Sequence, residues 1–284
     1  MASLYKSEQG KKEILELYDT KLSELNIDFE YLTISTIFGK TNIVATGNIK
    51  NPTLIIVHGS NGCAPVALEA YPNLTKKYRV LAIDVLAQPN KSAETLLNMK
   101  DNSYGKWMNE VIDKLKINQV TLAGFSFGGL VILKTLEYKE TKIKQVFLSS
   151  PAYIVNGNPI KAMFKVFIPM KRYIKSKNEK HVKKVLDTVF TDWNNFALQY
   201  LSKVFLHFNM DFSPIPVIKK TSAQEISTPI FLFAGKNDIM FPGQKMIKRA
   251  KKIFPSLKET ILLEHSKHVQ SKSDNKKIVE IIKE

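Results

Sequence analysis

The sequence has little cysteine and no long hydrophobic run. Its 284 residues include one cysteine, Cys63, so no internal disulfide can form and a reducing compartment, the cytoplasm, is expected. No run approaches the roughly 18 apolar residues that a membrane-spanning helix needs. The first residues, MASLYKSEQGKKEILELYD, show neither the apolar core nor the cleavage site of a signal peptide. We therefore expect a globular cytoplasmic protein.

Arginine is also scarce, although the chain is strongly basic. It carries 42 lysine and arginine residues against 26 acidic ones, for a formal net charge of +16, and three of the 42 are arginine. Base edges and phosphates are read mainly by arginine forks, so this balance predicts no nucleic-acid partner. Residues 153–222 hold 12 basic and four acidic side chains, and residues 244–284 hold 11 and five. We expect a solvated lysine-rich surface there, with weak contact to an anionic membrane as the alternative.

Motifs for phosphate, dinucleotide and metal binding are missing. Gly39-Lys40-Thr41 resembles the end of a phosphate-binding P-loop, but Ile34 stands where that motif needs glycine. No G-x-G-x-x-G follows the first buried strand, and no cluster of His, Cys and carboxylates has metal-ligand spacing. The sequence therefore predicts neither a cofactor nor a metal.

What the chain does contain is an alternation of apolar runs and helical patterns. Such alternation is typical of an α/β fold with a mostly parallel central sheet and helices on both faces. A hairpin of strands 29–36 and 41–47 precedes it. The predicted later strands are 52–59, 79–84, 119–125, 144–150, 228–235 and 259–264, and the predicted helices are 11–25, 64–77, 103–117, 127–138, 242–253 and 273–283.

The alternation is interrupted over residues 153–222. This stretch is helix-like and rich in aromatic residues. It predicts a helical cap inserted into a core made of residues 1–152 and 223–284. Most of its aromatic side chains should form the cap's own small core, and a few should line a pocket.

The motif GFSFGG at residues 124–129 is the strongest chemical signal. It follows the apolar run QVTLA and precedes the helical run LVILKTL. Gly124 and Gly128 flank Ser126 where a β-carbon would crowd a tight turn. This strand–turn–helix setting predicts a nucleophile elbow that presents the Ser126 hydroxyl above the sheet.

A serine nucleophile needs a base and an acid that orients the base. In the elbow arrangement they follow in the order Ser, Asp or Glu, His, in loops after later strands. Asp238 lies three residues past strand 228–235, where an Asx turn or a helix N-cap is the alternative interpretation. After strand 259–264, His268 is favoured over His265, because His265 directly follows the strand and can still point along it.

A tetrahedral intermediate also needs two converging backbone N–H groups. Phe127, directly after the nucleophile, supplies one at the start of a helix. The loop HGSNG at residues 58–62 supplies the other, with Ser60 as the expected donor. A plain turn is the alternative interpretation of this loop.

From residue 29 onward the chain resembles the α/β-hydrolases. The motifs His58-Gly59, GFSFGG, GKND at 235–238 and SKHV at 266–269 follow that superfamily's order. The segments YLTISTIFGKTNIVATG and AIDVLAQPNKS make it similar to carboxylesterases of the naproxen-esterase type. The resemblance implies a triad of Ser126, His268 and Asp238 and a mobile cap. Gln88-Pro89-Asn90 stand where the superfamily usually has glycines, so substrate preference does not carry over.

The expected function is hydrolysis of a small-to-medium apolar carboxylic ester through an acyl-enzyme. The same triad also serves thioesters, lactones and activated carbon–carbon bonds, which stay open as alternatives. Two hypotheses without catalysis also remain open: a ligand-binding protein on a hydrolase scaffold, and a peripheral binder of anionic membranes.

Overall fold

The computed structural model describes residues 3–284, which contain an eight-stranded sheet. The strand order is β1-β2-β4-β3-β5-β6-β7-β8. β1 and β2 form the predicted antiparallel hairpin, β2 also pairs antiparallel with β4, and the other pairs are parallel. The bounds are β1 Phe29–Thr36, β2 Gly39–Thr46, β3 Thr53–Val57, β4 Arg79–Ile83, β5 Val120–Phe125, β6 Ile143–Ser149, β7 Ile230–Gly235 and β8 Leu257–Leu263.

Helices cover both faces of this sheet. α3, α4 and α10 pack into one hydrophobic core, and α1, α2 and α11 pack into the other. The bounds are α1 Glu8–Glu24, α2 Ala64–Ala70, α3 Ser103–Lys114, α4 Phe127–Tyr138, α5 Pro159–Ala162, α6 Ile168–Ser176, α7 Lys180–Val189, α8 Asn195–His207, α9 Lys220–Glu225, α10 Gly243–Ile253 and α11 Lys272–Lys283. The predicted fold class is therefore confirmed.

The central strands are apolar throughout because both of their faces are buried. In β3, Leu54 and Ile56 belong to the core of α1 and α2, while Ile55 and Val57 belong to the core of α3 and α4. Truncating Ile55 to alanine would lower the free energy of unfolding by about 2–5 kcal/mol, because it leaves a cavity that the surrounding side chains fill only in part. This central layer places the carboxyl ends of the parallel strands at one edge.

Local backbone signals shift some helix ends from their predicted positions. The helix predicted over 64–77 ends at Ala70, and a separate 3₁₀ turn covers Leu74–Lys76. Tyr71 precedes Pro72, whose ring disfavours helical geometry at the preceding residue. Asn73 then adopts a left-handed conformation with φ of 63°. α1 begins at Glu8 rather than residue 11, because the Ser7 hydroxyl caps it by accepting the Gly10 N–H at 3.0 Å.

The 153–222 segment contains α5 to α8 and a five-residue π-helical turn, Met163–Phe167, and α9 crosses its predicted end. Tyr200, Phe205 and Phe208 are buried, but they lie in the same core as α1, α2 and α11, so the prediction of a separate small core is wrong for them. Four other large apolar side chains of the segment are exposed: Met163, Phe164, Trp193 and Phe212. In residues 3–284, the helices are too short or too polar to cross a bilayer.

Candidate active site

Ser126 sits at a sharp turn between β5 and α4. Its backbone has φ of 53° and ψ of −114°, a conformation that costs a non-glycine residue about 1–3 kcal/mol. Backbone hydrogen bonds hold it in place: its N–H donates to the Ser149 carbonyl at 3.0 Å. Its own carbonyl accepts the N–H groups of Gly129 and Ala152, each at 2.9 Å. The turn thus aims the side chain away from both elements.

The flanking glycines are required by close approach of other backbone. A β-carbon at Gly128 would lie 2.2 Å from the carbonyl oxygen of Val57, which no side chain can tolerate. A β-carbon at Gly124 would meet the Gly128 carbonyl carbon at 2.8 Å. Glycine at 128 therefore lets the turn pack against β3, and glycine at 124 lets β5 pack against the start of α4.

Three side chains from three loops meet at this turn. The Nε2 atom of His268 lies 2.9 Å from Ser126 Oγ, and its Nδ1 atom lies 2.8 Å from Asp238 Oδ2. Asp238 can only accept, so Nδ1 carries the proton and Nε2 is free to accept from the serine. His265 is exposed and takes no part.

The two carboxylate oxygens of Asp238 have different partners: one forms a turn with the backbone, and the other contacts His268. Oδ1 accepts the N–H groups of Met240 at 2.7 Å and Phe241 at 3.0 Å, which is the Asx-type turn. Oδ2 holds His268. The turn fixes the carboxylate plane, and thereby the direction in which the imidazole is held.

The base is enclosed by aromatic rings. The Phe125 ring lies 5.1 Å from the imidazole of His268, and the Phe241 ring lies 5.3 Å away on an edge-on approach. Ser126 is 7% exposed. A dry surrounding strengthens the Asp238–His268 attraction when the imidazole gains a proton.

The loop HGSNG lies directly beside the serine. A β-carbon on Gly59 would be 3.2 Å from Ser126 Cβ. In residues 3–284, neither the Ser60 N–H nor the Phe127 N–H donates to another protein group, so both can donate to a ligand. Their role in holding an oxyanion stays a prediction.

His58 has a structural role that sequence reasoning missed. Its Nε2 accepts the Val85 N–H at 3.0 Å and faces Asn90 Nδ2 at 3.2 Å, and its Nδ1 lies 2.8 Å from the Gly59 carbonyl. Burial lowers the pKa of His58 to about 4, so the imidazole is neutral. It ties the HGSNG loop to the segment after β4.

Two of the residues that stand where the superfamily usually has glycines also bind the HGSNG loop. Gln88 accepts the Asn61 N–H through Oε1 at 2.7 Å, and Asn90 contacts His58. Polar side chains at these positions thus bind the HGSNG loop. Asp84 and Cys63 are buried beside it: burial raises the pKa of the Asp84 carboxyl to about 6 and that of the Cys63 thiol to about 12. Cys63 is accordingly an inert thiol at neutral pH.

The loop that carries His268 is clasped by Thr191. The Thr191 hydroxyl accepts the Lys267 N–H at 2.9 Å and donates to the Val269 carbonyl at 2.8 Å. The Thr191 N–H donates to the same carbonyl at 2.9 Å, and the Val269 N–H donates to Val189 at 2.9 Å. Both chain neighbours of the histidine are therefore held by the 153–222 segment. No local signal could reveal a contact between residues so far apart in sequence.

Among residues 3–284, no group of three or more His, Cys, Asp or Glu side chains is placed to hold a metal ion. The polar groups that converge on Ser126 are suited to proton transfer and to nucleophilic attack.

The sheet order, the elbow and the loops above it define the chain as a protein of the α/β-hydrolase fold. A family model described as the alpha/beta hydrolase fold matches residues 52–167. The structure is similar to the crystal structure of naproxen esterase (carboxylesterase NP) from Bacillus subtilis. The TM-score is 0.83 at 21% identity, over 98% of each chain.

Two curated relatives come from Bacillus subtilis (strain 168). The carboxylesterase YbfK is 34% identical over 140 residues, which are 48% of this chain and 46% of that protein, so the match spans about half of the relative's length. The uncharacterized carboxylesterase nap is 24% identical over 275 residues, 90% of this chain and 86% of that protein. The resemblance to α/β-hydrolases of the naproxen-esterase type is thus confirmed.

Proposed function

We propose that the protein is a serine hydrolase that cleaves carboxylic esters through Ser126, His268 and Asp238. The observation that carries this proposal is the continuous hydrogen-bonded chain from serine to imidazole to carboxylate at a strained elbow. The carboxylesterase relatives support the choice of an ester as substrate.

In this mechanism His268 Nε2 takes the proton of Ser126 as Oγ attacks the ester carbonyl carbon. Asp238 stabilises the resulting imidazolium. The N–H groups of Ser60 and Phe127 donate to the developing oxyanion. The imidazolium then returns its proton to the leaving alkoxide, which departs as an alcohol and leaves an acyl-enzyme. Water, deprotonated by the same histidine, releases the carboxylic acid and restores the serine.

We infer a small-to-medium, apolar acyl group. The site is nearly closed around Ser126, and rings of Phe125 and Phe241 stand beside the base. The name of one structural relative, naproxen esterase, favours an aromatic acid. We further propose that residues 153–222 form a cap on a core of 1–152 and 223–284, because the Thr191 region contacts the histidine loop. Thioesters, lactones and carbon–carbon bonds remain alternative substrates, and the cytoplasm remains the expected location.

A panel of p-nitrophenyl esters of increasing acyl length tests this function. Ser126→Ala should lose turnover by about 10⁴-fold or more, because no other hydroxyl lies on the base. Ser202→Ala is the matched control, since it removes a buried hydroxyl that has no hydrogen-bond partner. A fluorophosphonate probe should label the wild type and the control, and not Ser126→Ala.

Retained turnover in Ser126→Ala, or labelling of a residue other than Ser126, would refute the proposed mechanism. The alternative of a ligand-binding protein predicts a different outcome in the same assay. It gives at most one equivalent of released product per protein and no steady-state turnover.

A further inference from the structure

One stretch of the 153–222 segment exposes large apolar side chains next to one another. Ile160 is 67% exposed, Met163 47% and Phe164 64%, and the three are spaced as neighbours on a helical face. Phe212, 55% exposed, packs edge-on against Phe167 with ring centroids 5.6 Å apart, which extends the apolar area. Single exposed apolar residues are ordinary, whereas a group on one element marks an interaction surface.

The same stretch carries charge of one sign. No acidic residue occurs between Glu140 and Glu179. In the described part of the chain, the basic residues of this stretch form no salt bridge. They are all exposed: Lys161, Lys165, Lys171, Arg172, Lys175 and Lys177. Cations interleaved with exposed phenylalanine, methionine and isoleucine suit a surface that offers phosphates above hydrocarbon.

This surface begins beside the candidate active site. A depression of about 380 Å³ separates Asn158 and Lys161 on one side from Lys236 and Asp238 on the other. The Gly157 N–H donates to the Met240 carbonyl at 2.7 Å, which anchors the start of the stretch to the loop of the orienting acid. A partner bound here would therefore lie beside the loop that carries Asp238.

We propose that the stretch Asn158–Lys177 docks the protein on an anionic lipid bilayer. Ile160, Met163 and Phe164 enter the headgroup region, and the lysines pair with lipid phosphates. Nucleic acid is a poorer match, because the stretch holds one arginine and its apolar side chains are aliphatic as well as aromatic. The docking does not depend on the proposed hydrolysis, since binding needs no reaction at Ser126.

Vesicle sedimentation tests the proposal with the full chain carrying Ser126→Ala, so that no lipid is consumed. It should bind vesicles of equal parts phosphatidylglycerol and phosphatidylcholine at low salt, and bind pure phosphatidylcholine far more weakly. Adding Phe164→Ser should lower the partition coefficient about tenfold, since a large apolar side chain leaves the interface. Adding Lys161→Gln with Lys165→Gln should lower it about 25-fold, at roughly five-fold for each charge.

Matched variants separate a docking surface from general attraction. Lys251→Gln with Lys252→Gln removes the same charge from exposed positions on α10, and Ile49→Ser removes an exposed apolar side chain elsewhere. Both should leave binding within about two-fold of the parent, because neither site contacts the surface. Equal losses in these controls, or no binding to anionic vesicles, would overturn the proposal.

The same proteins without lipid are examined by sedimentation velocity. Self-association that Phe164→Ser abolishes would assign the surface to a second copy of the chain instead. Ester turnover of the Phe164→Ser variant with Ser126 intact should stay at the wild-type level with dissolved substrates. If the wild-type protein shows no turnover with dissolved substrates while the Ser126→Ala parent binds anionic vesicles, the result would count against the esterase mechanism and not against docking.

Discussion

Asp238→Asn tests the triad most directly, because the structure dictates how the new amide must turn. One carboxylate oxygen of Asp238 accepts two backbone N–H groups, from Met240 and Phe241. An amide can keep both bonds only with its own oxygen in that place. Its NH₂ group then faces His268 Nδ1, which must accept, so the imidazole proton moves to Nε2. A protonated Nε2 cannot take the proton of Ser126.

The expected loss follows from this wrong tautomer. Turnover should fall by about 10⁴-fold, which corresponds to roughly 5 kcal/mol of lost transition-state stabilisation. The backbone bonds of the turn survive, so the free energy of unfolding should change by about 1 kcal/mol or less. The assay is kcat for p-nitrophenyl acetate together with the rate of fluorophosphonate labelling, and both should fall.

A control variant separates this effect from loss of charge alone. Asp101 also accepts a backbone N–H two residues on, from Ser103 at 2.8 Å, and contacts no histidine. Asp101→Asn should retain full turnover. Turnover of Asp238→Asn within tenfold of wild type, with the fold intact, would show that Asp238 does not set the tautomer of His268.

Three further changes probe the supports of the site. Thr191→Val should lower kcat about 10–100-fold with little change in KM, because the hydroxyl bonds on both sides of His268 are lost. Thr191→Ser keeps the hydroxyl and should have the wild-type kcat. Equal kcat in Thr191→Val and wild type would contradict a role of Thr191 in positioning His268. Gly128→Ala should lower the urea midpoint sharply, since its β-carbon would meet Val57; an unchanged midpoint would contradict the close packing. Burial holds the pKa of His58 near 4, below the ordinary 6.5. At a pH between these two values, the imidazole of His58 therefore binds a proton when the protein unfolds. The free energy of unfolding should therefore fall by about 1.4 kcal/mol per pH unit as the pH drops below 6.5, and His58→Asn should lack this dependence in urea titrations at pH 7 and 5. An equal fall in the wild type and in His58→Asn would refute the role of His58.

Much of the fold could be predicted because its signals are local. The uninterrupted apolar run of β3 indicates a strand buried on both faces, and the structure places its side chains alternately in two cores. The helix predicted over 64–77 was wrong beyond Ala70. There the chain turns at Tyr71-Pro72, a proline effect that the apolar pattern alone does not express.

The site was predictable in part for a related reason. Chain order and the ends of parallel strands indicated Ser126, Asp238 and His268, since strand ends converge at one edge of the sheet. The supports of these residues could not be predicted. The sequence marked His58 only as part of the HGSNG loop, and Thr191 carried no prediction of its own within residues 153–222, because the partners of both lie far away in the sequence.

By itself the sequence determined the order of the strands along the chain, the elbow glycines and the kinds of side chain that follow each strand. These depend on apolar periodicity and on backbone conformations that few residues adopt. Only the tertiary structure decided the 2.9 Å contact between His268 and Ser126, the tautomer that Asp238 imposes and the clasp by Thr191. Such contacts join groups from distant parts of the chain, and their distances arise when the sheet and its two cores pack together.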